Sequence, residues 1–482
     1  MLAVAHVLGS MLALFGVTYL LPIVCSLLLR DGIVVDYIVA AGINVIVGVG
    51  IAAATRRYKR ELKPRDGFVL VTLSWVLMSA SATLPFLISI PGLSFTDAYF
   101  ETMSGFTTTG STILTGLDAL PPSLNLWRAS LHWYGGIGII VFAVAVLPLL
   151  GVGGMQLYKA ETPGPVKDEK LTPRITETAK ALWLTYTGFT LVCIVALRVA
   201  GMDWLDAVCH AFSVMGLGGF STHDASIAFF NSLAIEIVLI VFMVAASMNF
   251  ARHFIAFRKM SFAPYRTDTE AKSLLTLLAV SIIAVTLLLV IHRTYPSVPE
   301  ALRHAAFNVV SMASTTGFVS QDFEKWPAFA PIWMLFLCCI TCSTGSTGGG
   351  VKMFRTLLLA RQASREMLLL VHPSAVAPVR IGGQVIPDRI AYSVLAFIFL
   401  YFFTIVTLTF AMLLSGIDLD TAFSAIVSSV NNTGPGLGGV GPSQNYASLS
   451  DFQTWVCTAA MLLGRLEIFS VLVLFTGVFW RK

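Results

Sequence analysis

Charge is scarce in this sequence: Asp, Glu, Lys and Arg make up 12% of its 482 residues, where soluble domains carry roughly a quarter. That excludes an ordinary water-soluble globule. Cysteine is also sparse. Its seven copies, Cys25, Cys193, Cys209, Cys338, Cys339, Cys342 and Cys457, lie almost entirely in apolar stretches. Cys339-x-x-Cys342 has metal or redox spacing but no second pair and no histidine cluster nearby, so it reads as small apolar residues in a helix. The eight histidines are scattered and form no HExxH. No Ser/His/Asp set and no clustered carboxylates are visible, so nothing supports an enzyme. The first apolar run lacks a small-residue cleavage site, and a second run follows quickly. It therefore reads as a retained helix rather than a secretory signal.

What the sequence has instead is apolar length. Residues of apolar type make up 56%, and runs of about 20, each enough to cross a bilayer as a helix, recur ten times. They lie near 4–29, 36–55, 68–90, 126–150, 177–200, 232–256, 271–292, 330–351, 389–415 and 453–480. The expected class is an all-α integral membrane protein embedded in a lipid bilayer. The net charge of +5 has a topological pattern. Basic residues concentrate in 56–66, 151–180, 251–272, 352–389 and the tail Arg481-Lys482, which together hold 24 of the 31 Lys and Arg. If the chain alternates across the membrane, these segments share one side, and positive-inside bias makes that side, with both termini, cytoplasmic. The basic excess is therefore a topology signal and not a nucleic-acid surface.

A repeat is visible on the opposite side. Four connections carry a polar, glycine-bearing segment: FTTTGST (106–112), GLGGFST (216–222), STTGFVS (314–320) and NTGPGLG (432–438). Their glycines Gly110, Gly219, Gly317 and Gly434 are 109, 98 and 117 residues apart. Asp97-Ala98 and Asp206-Ala207 stand 13 residues before the first two glycines, Leu302-Arg303-His304 fills that place in the third unit, and Asp420-Thr421-Ala422 fills it, offset by one, in the fourth. Each approach is a semi-polar run of about a dozen residues, too short to span but suited to a re-entrant helix. Non-helical backbone at membrane depth is tolerated only when buried in protein or lining a wet path. Four such segments around one axis would point carbonyls inward, as in filters that replace the hydration shell of a monovalent cation. Glycine supplies the positive φ such backbones need. Thr315-Thr316-Gly317 is read as one quarter of that filter. The expected units are 1–66 (two N-terminal helices), 67–165, 166–265, 266–385 with an intramembrane loop, and 386–482, giving ten spanning helices, four re-entrant helices and a pseudo-fourfold pore.

Two further features fall at membrane depth. Arg465 lies near the middle of the last apolar run, where a charge is costly and normally faces a wet interior; Glu467, two residues on, points elsewhere on a helix. An arginine paired with a carboxylate of another helix is the alternative. In CSTGSTGGGVK (342–352), small residues from Gly345 to Gly350 interrupt an apolar run, and Gly348-Gly349-Gly350 should break the helix. Neither this stretch nor GLGGVG (436–441) is a nucleotide site: Val351 precedes Lys352, and no strand leads into either. Arg128 reads as a brace of the first unit. Trp127, Trp326, Trp333 and Trp455 fit an interfacial belt. His223 and Asp224, just outside the second segment, read as solvated loop residues, with a role in shaping the mouth as the alternative.

Several stretches together resemble the TrkH-type subunits of the bacterial Trk/Ktr/HKT potassium transporter family. They are FETMSGFTTTGSTI (100–113), WRASLHWYGGIGIIV (127–141), AETPGPVKDEKLTPRITETAK (160–180), GGFSTHDAS (218–226), CSTGSTGGGVKMFR (342–355), NNTGPGLGGVGP (431–442) and MLLGRLEIF (461–469). The resemblance covers almost the whole chain, and the two extra N-terminal runs favour the TrkH branch. It implies an inner-membrane potassium pore, a homodimer with one pore per chain, and a cytosolic TrkA-like nucleotide-binding ring beneath, with no nucleotide held by this chain. Carried over, the filter quarters are Thr108-Thr109-Gly110, Leu217-Gly218-Gly219, Thr315-Thr316-Gly317 and Asn432-Thr433-Gly434, with K⁺ bound at these residues. The second departs from the Thr-Thr-Gly pattern, so it is expected to coordinate less symmetrically. Four glycines imply potassium over sodium preference. The resemblance also places Arg465 in the pore below the filter, and makes Gly345, Gly348, Gly349, Gly350 and Lys352 part of a gating loop, with Arg355 helping to anchor its inner end. A substrate-coupled transporter would need intramembrane carboxylates and inverted repeats; a sodium-permeable relative is the nearer alternative.

Overall fold

The computed structural model describes residues 1–60, 62–141 and 175–481. Residues 142–150 of the expected 126–150 span, the boundary near 165 and most of the AETPGPVKDEKLTPRITETAK motif lie outside them. Within the described residues six helices are long and apolar enough to cross a membrane: Leu2–Leu29, Val34–Tyr58, Arg65–Ser89, Thr178–Val199, Thr269–Ile291 and Asp388–Leu414. Their outward faces are bare hydrocarbon, with Leu28 76% and Ile46 73% exposed, the state expected of side chains meant for lipid.

The first two helices cross on glycines. A Cβ on Gly9 would lie 2.7 Å from the Ala52 nitrogen, and one on Gly48 would lie 2.7 Å from the Gly9 carbonyl. With no hydrophobic drive between helices in lipid, such close backbone approach is what holds a pair together.

The remaining chain repeats one order four times. A long helix (Arg65–Ser89, Thr178–Val199, Thr269–Ile291, Asp388–Leu414) leads to a short one (Phe95–Phe106, Trp204–Gly216, Val298–Ala313, Leu419–Asn431). An irregular segment and a further helix follow. The short helices start on side-chain caps, Ser94, Asp203, Ser297 and Asp418, which accept the N–H of Asp97, Asp206, Glu300 and Thr421; such caps satisfy backbone donors that the first turn leaves free. Three caps stand 16 residues before the unit's glycine. Ser297 stands 20 before, so the third helix is one turn longer.

The closing helices depart from straight spans. The first is described over Pro122–Val141. The second and fourth are broken, Leu233–Ser247 against Phe250–Lys259 by 101° and Asp451–Arg465 against Phe469–Phe475 by 106°. The third is helical only over Phe329–Ile340. The runs expected at 232–256, 330–351 and 453–480 are thus not single helices: apolar composition marks membrane depth but does not report a bend. Trp127 and Trp326 also leave the expected belt. Trp127 is fully buried and stacked on Tyr19 at 4.5 Å, and Trp326 is buried, with its indole N–H donating to the Tyr295 hydroxyl at 3.1 Å. A small antiparallel hairpin, Arg380–Ile381 with Gln384–Val385, sits between the helix Met353–Val371 and the fourth unit.

Gly48→Leu should force the first two helices apart. Overpacking costs about 1–3 kcal/mol, so the thermal midpoint of the purified protein should fall by several degrees; an unchanged midpoint would show that the crossing is not the contact holding this pair.

Candidate ion-conduction site

The four glycine-bearing segments follow directly from the C-termini of the short helices and repeat one backbone conformation. Thr108, Leu217, Thr315 and Asn432 all have positive φ, at 53°, 54°, 59° and 53°, and so do Gly110, Gly219, Gly317 and Gly434, at 84°, 80°, 79° and 102°. Left-handed geometry is unusual for threonine and leucine, so four repetitions point to one imposed shape. The N–H of the middle residue imposes part of it. Thr109 donates to the Ser104 carbonyl at 2.8 Å, Gly218 to Ser213 at 2.9 Å, Thr316 to Ser311 at 2.9 Å and Thr433 to Ser428 at 3.0 Å. A serine therefore stands six residues before every glycine. Aligning the four segments on their glycines makes this serine legible in the sequence alone.

The segments close on one another in order. A Cβ on Gly110 would overlap the Gly218 carbonyl oxygen, one on Gly219 that of Thr316, and one on Gly317 that of Thr433. One on Gly434 would come within 2.9 Å of the Thr109 oxygen. Each glycine thus faces the middle carbonyl of the next segment, and the fourth returns to the first. This is a cyclic fourfold arrangement in one chain. Of the carbonyls in the four triplets, only that of Gly434 accepts a hydrogen bond from a described residue. Buried carbonyls are nearly always paired, so a set left free at the meeting point of four segments suits a cation that supplies the missing partner. The buried Thr108 hydroxyl and Asn432 amide oxygen are likewise without a protein partner. The second quarter keeps the shared dihedrals despite its Leu217-Gly218-Gly219 sequence; the departure falls on the fourth, at Gly434.

A different polar brace stands behind each segment. In the first, Arg128 and Glu101, each about 1% exposed, pair at 2.8 Å. Glu101 also accepts the Ile113 N–H at 3.0 Å, and Arg128 donates to the Ser221 carbonyl of the second segment at 3.0 Å. Arg128 is thus a brace, as its position suggested; its partner Glu101 stands 27 residues away on a short helix, where a lone glutamate gives no signal of burial in the sequence. In the second, His210 bonds the Ser221 hydroxyl at 2.9 Å. In the third, Asn308 donates to the Ser320 hydroxyl at 3.0 Å. In the fourth, the Ser424 hydroxyl receives the Leu437 N–H at 2.8 Å. Outside the second segment, His223 bridges Asp118 and Asp206 and stacks on Phe229 at 3.5 Å, while Asp224 accepts the Leu117 N–H at 3.1 Å. Its hydrogen bond to His223 holds the Asp118 carboxyl below its ordinary range. His223 is thus held between two carboxylates, while Asp224 and Asp118 remain exposed to solvent, as expected of loop residues.

The glycine loop lies against the inner ends of the short helices. The Gly349 N–H donates to the Thr315 hydroxyl at 3.1 Å, and the Thr347 hydroxyl to the Met215 carbonyl at 3.0 Å. A Cβ on Gly349 would overlap the Asn431 carbonyl, so only glycine fits there. Gly345 and Gly350 turn the chain at φ 74° and 77°, and a Cβ on Gly348 would strike the Cys342 sulfur. Arg465 is buried at the end of its helix, not in the middle of a straight span, and donates to the carbonyls of Thr347 at 2.7 Å and Gly135 at 2.9 Å. Its partners are main-chain oxygens, one of them in the loop, not a carboxylate. Glu467 pairs instead with Arg355 at 2.8 Å, and Lys352 donates to the Gly348 carbonyl. The structure therefore brings Gly345, Gly348, Gly349, Gly350, Lys352 and Arg465 together beneath the four segments.

A family model described as TrkH, cation transport protein, matches residues 36–482. The chain belongs to that family. It is 44% identical over 483 residues to the Trk system potassium uptake protein TrkH of Vibrio parahaemolyticus, covering 100% of this chain and 99% of that one. It is 42% identical over 481 residues to the TrkH of Escherichia coli, covering 100% and 99%, and 38% identical over 482 residues to the Escherichia coli TrkG, covering 99% and 98%. The crystal structure of the potassium transporter TrkH from Vibrio parahaemolyticus superposes with a TM-score of 0.92 at 41% identity, covering 100% of this TrkH-family chain and 99% of that one.

Removing one partner of a buried ion pair costs about 3–5 kcal/mol because the other charge is stranded. Arg128→Met and Glu101→Met should each lower the thermal midpoint strongly, whereas the double variant recovers much of the loss. Additive losses in that cycle would show that the two side chains act independently.

Proposed function

We propose that the chain takes up potassium across the bacterial inner membrane through a pore lined by the twelve residues of the four triplets, K⁺ being transported cargo rather than cofactor. The observation that carries this reading is the cyclic ring of positive-φ segments whose carbonyls, Gly434 apart, have no donor among the described residues. Carbonyl dipoles at this spacing can replace the water around a monovalent cation. The short helices aim the negative ends of their dipoles at the same place, and the carboxylates of Asp118, Asp206 and Asp224 gather cations outside. The membrane potential supplies about 2.3 kcal/mol per charge per 100 mV, so no chemical step is needed. Ten spans with four re-entrant helices, divided at the unit boundaries expected above, and both termini in the cytoplasm complete this reading.

Arg465 and the loop 345–352 obstruct the inner side. Arg465 places a positive charge against the Thr347 carbonyl of the loop, opposing cation passage. A cytosolic nucleotide-binding ring, docked beneath a homodimer, would release them by moving the segment that Lys352 and Arg355 tether. The relatives' names, which assign them to a Trk system, favour such a partner.

Reconstituted protein should accumulate a K⁺ tracer that K⁺ suppresses and Na⁺ barely does; equal suppression would remove the potassium assignment. At Gly317, φ is 79° and an added Cβ meets the Thr433 oxygen, so Gly317→Ser should lower K⁺ over Na⁺ discrimination by about tenfold or more, a displacement of the ring worth at least ~1.4 kcal/mol. Arg465→Ala should raise flux severalfold in the absence of any partner, and unchanged flux would remove Arg465 from the gate.

A further inference from the structure

The fourth quarter breaks the symmetry that the other three keep, at one atom. The Gly434 carbonyl accepts from three hydroxyls: Ser428 at 2.8 Å, Tyr446 at 2.9 Å and Ser111 at 3.1 Å. Among the described residues no donor reaches the carbonyls of Gly110, Gly219 or Gly317. A carbonyl oxygen has two lone pairs. One that already holds three donors has none left to turn toward an ion. The backbone departs at the same place, with Gly434 at φ 102° against 79–84° for the other glycines, and with the looser seam to Thr109. Pro435 follows it, and proline restricts the residue before it.

The donors are particular to this quarter. Equivalent serines sit behind every segment but do different things. Ser104 Oγ has no partner, Ser213 bonds His132 at 3.0 Å, and Ser311 donates to the Phe318 carbonyl at 2.6 Å. Ser111 follows the first glycine where Phe220, Phe318 and Pro435 follow the others. Tyr446 stands 12 residues past Gly434, where the other units have Pro122, Asn231 and Phe329. Tyr446 is itself fixed: it is buried, its N–H donates to the Thr112 carbonyl at 2.9 Å, and its ring lies 5.3 Å from that of Phe100.

We infer that the hydroxyls of Ser428, Tyr446 and Ser111 withhold the Gly434 carbonyl from the permeating cation, leaving a three-sided ring at the glycine level of the filter. Tyr446 is then a positioning residue for conduction. Conduction needs sites that bind well enough to be entered and weakly enough to be left; a missing fourth ligand weakens one level of the path. This rests on the conduction reading above.

The test is tracer uptake by reconstituted wild type, Tyr446→Phe, Ser428→Ala and the double variant over a range of external K⁺, with Na⁺ as competitor. Freeing the carbonyl should lower the half-saturating K⁺ concentration by about threefold to tenfold, the effect of one hydrogen-bond-sized ligand, and should lower the maximal rate. Ser428→Thr, which keeps a hydroxyl, should stay near wild type. A lower maximal rate with unchanged half-saturation would make the three residues merely structural and overturn the inference. A raised half-saturation with Na⁺ now competing would also overturn it, because the hydroxyls would then be aiming the carbonyl at the ion. If that double variant elutes as aggregate, Ser111→Ala combined with Tyr446→Phe, which likewise leaves a single donor on the Gly434 carbonyl, is read by the same criteria. Wild type without selective K⁺ uptake would sink the conduction reading itself, which separates the two failures.

Discussion

Backbone oxygen without a protein partner, held at membrane depth, is the constraint on which this molecule is built. An unsatisfied buried carbonyl costs about 1–3 kcal/mol, and bilayer hydrocarbon supplies no water to relieve it. Four segments carry such oxygens to one place. The chain reaches it through short helices, which satisfy their own backbone on the way in, and it leaves through a further helix in each unit. The long outer helices shield this assembly from lipid. A relaxed backbone would turn its carbonyls toward the nearest donor, so the segments must be prevented from relaxing.

That prevention operates at two levels. The backbone level is fourfold: one N–H to one serine carbonyl in each unit, one left-handed residue, one glycine against the next segment's oxygen. The side-chain level is not. Glu101 with Arg128, His210 with Ser221, Asn308 with Ser320 and Ser424 with Leu437 serve the same place with four chemistries. A repeated shape needs only that each brace hold its own segment, so the braces are free to diverge once the backbone pattern is fixed. The buried ion pair also donates to the Ser221 carbonyl and so ties the first two segments together.

This division explains what could be read in advance. Glycine spacing and apolar length are backbone signals, and they marked the four segments and the loop. Family resemblance supplied the triplets. Bends were not legible, because Met248-Asn249 and Leu466-Glu467-Ile468 look no different from helix by composition. Of the braces only Arg128 was legible; the pairings, 11 to 27 residues apart, share no common residue type. Leu217-Gly218-Gly219 misled for the converse reason: it differs in side chains, yet its dihedrals match the others. Gly434 looked regular and is not, because its neighbours in space come from Tyr446 and from Ser111 of a different unit.

The underside follows from the same constraint. The inner ends of the short helices also present carbonyls, and here the chain covers them with its own polar groups. Gly349 packs on Asn431, Thr347 donates to Met215, and Thr341 donates to Ala313. Arg465 satisfies two further carbonyls with one guanidinium. A loop held by hydrogen bonds to backbone oxygen can exchange those bonds for water when a path hydrates, at a net cost of about 1 kcal/mol each. An apolar plug would lose its burial outright, at about 25 cal/mol per Å². Polar closure beneath a polar ring therefore suits the removable obstruction proposed above, and the Arg355–Glu467 pair ties the helix after the loop to the break after Arg465.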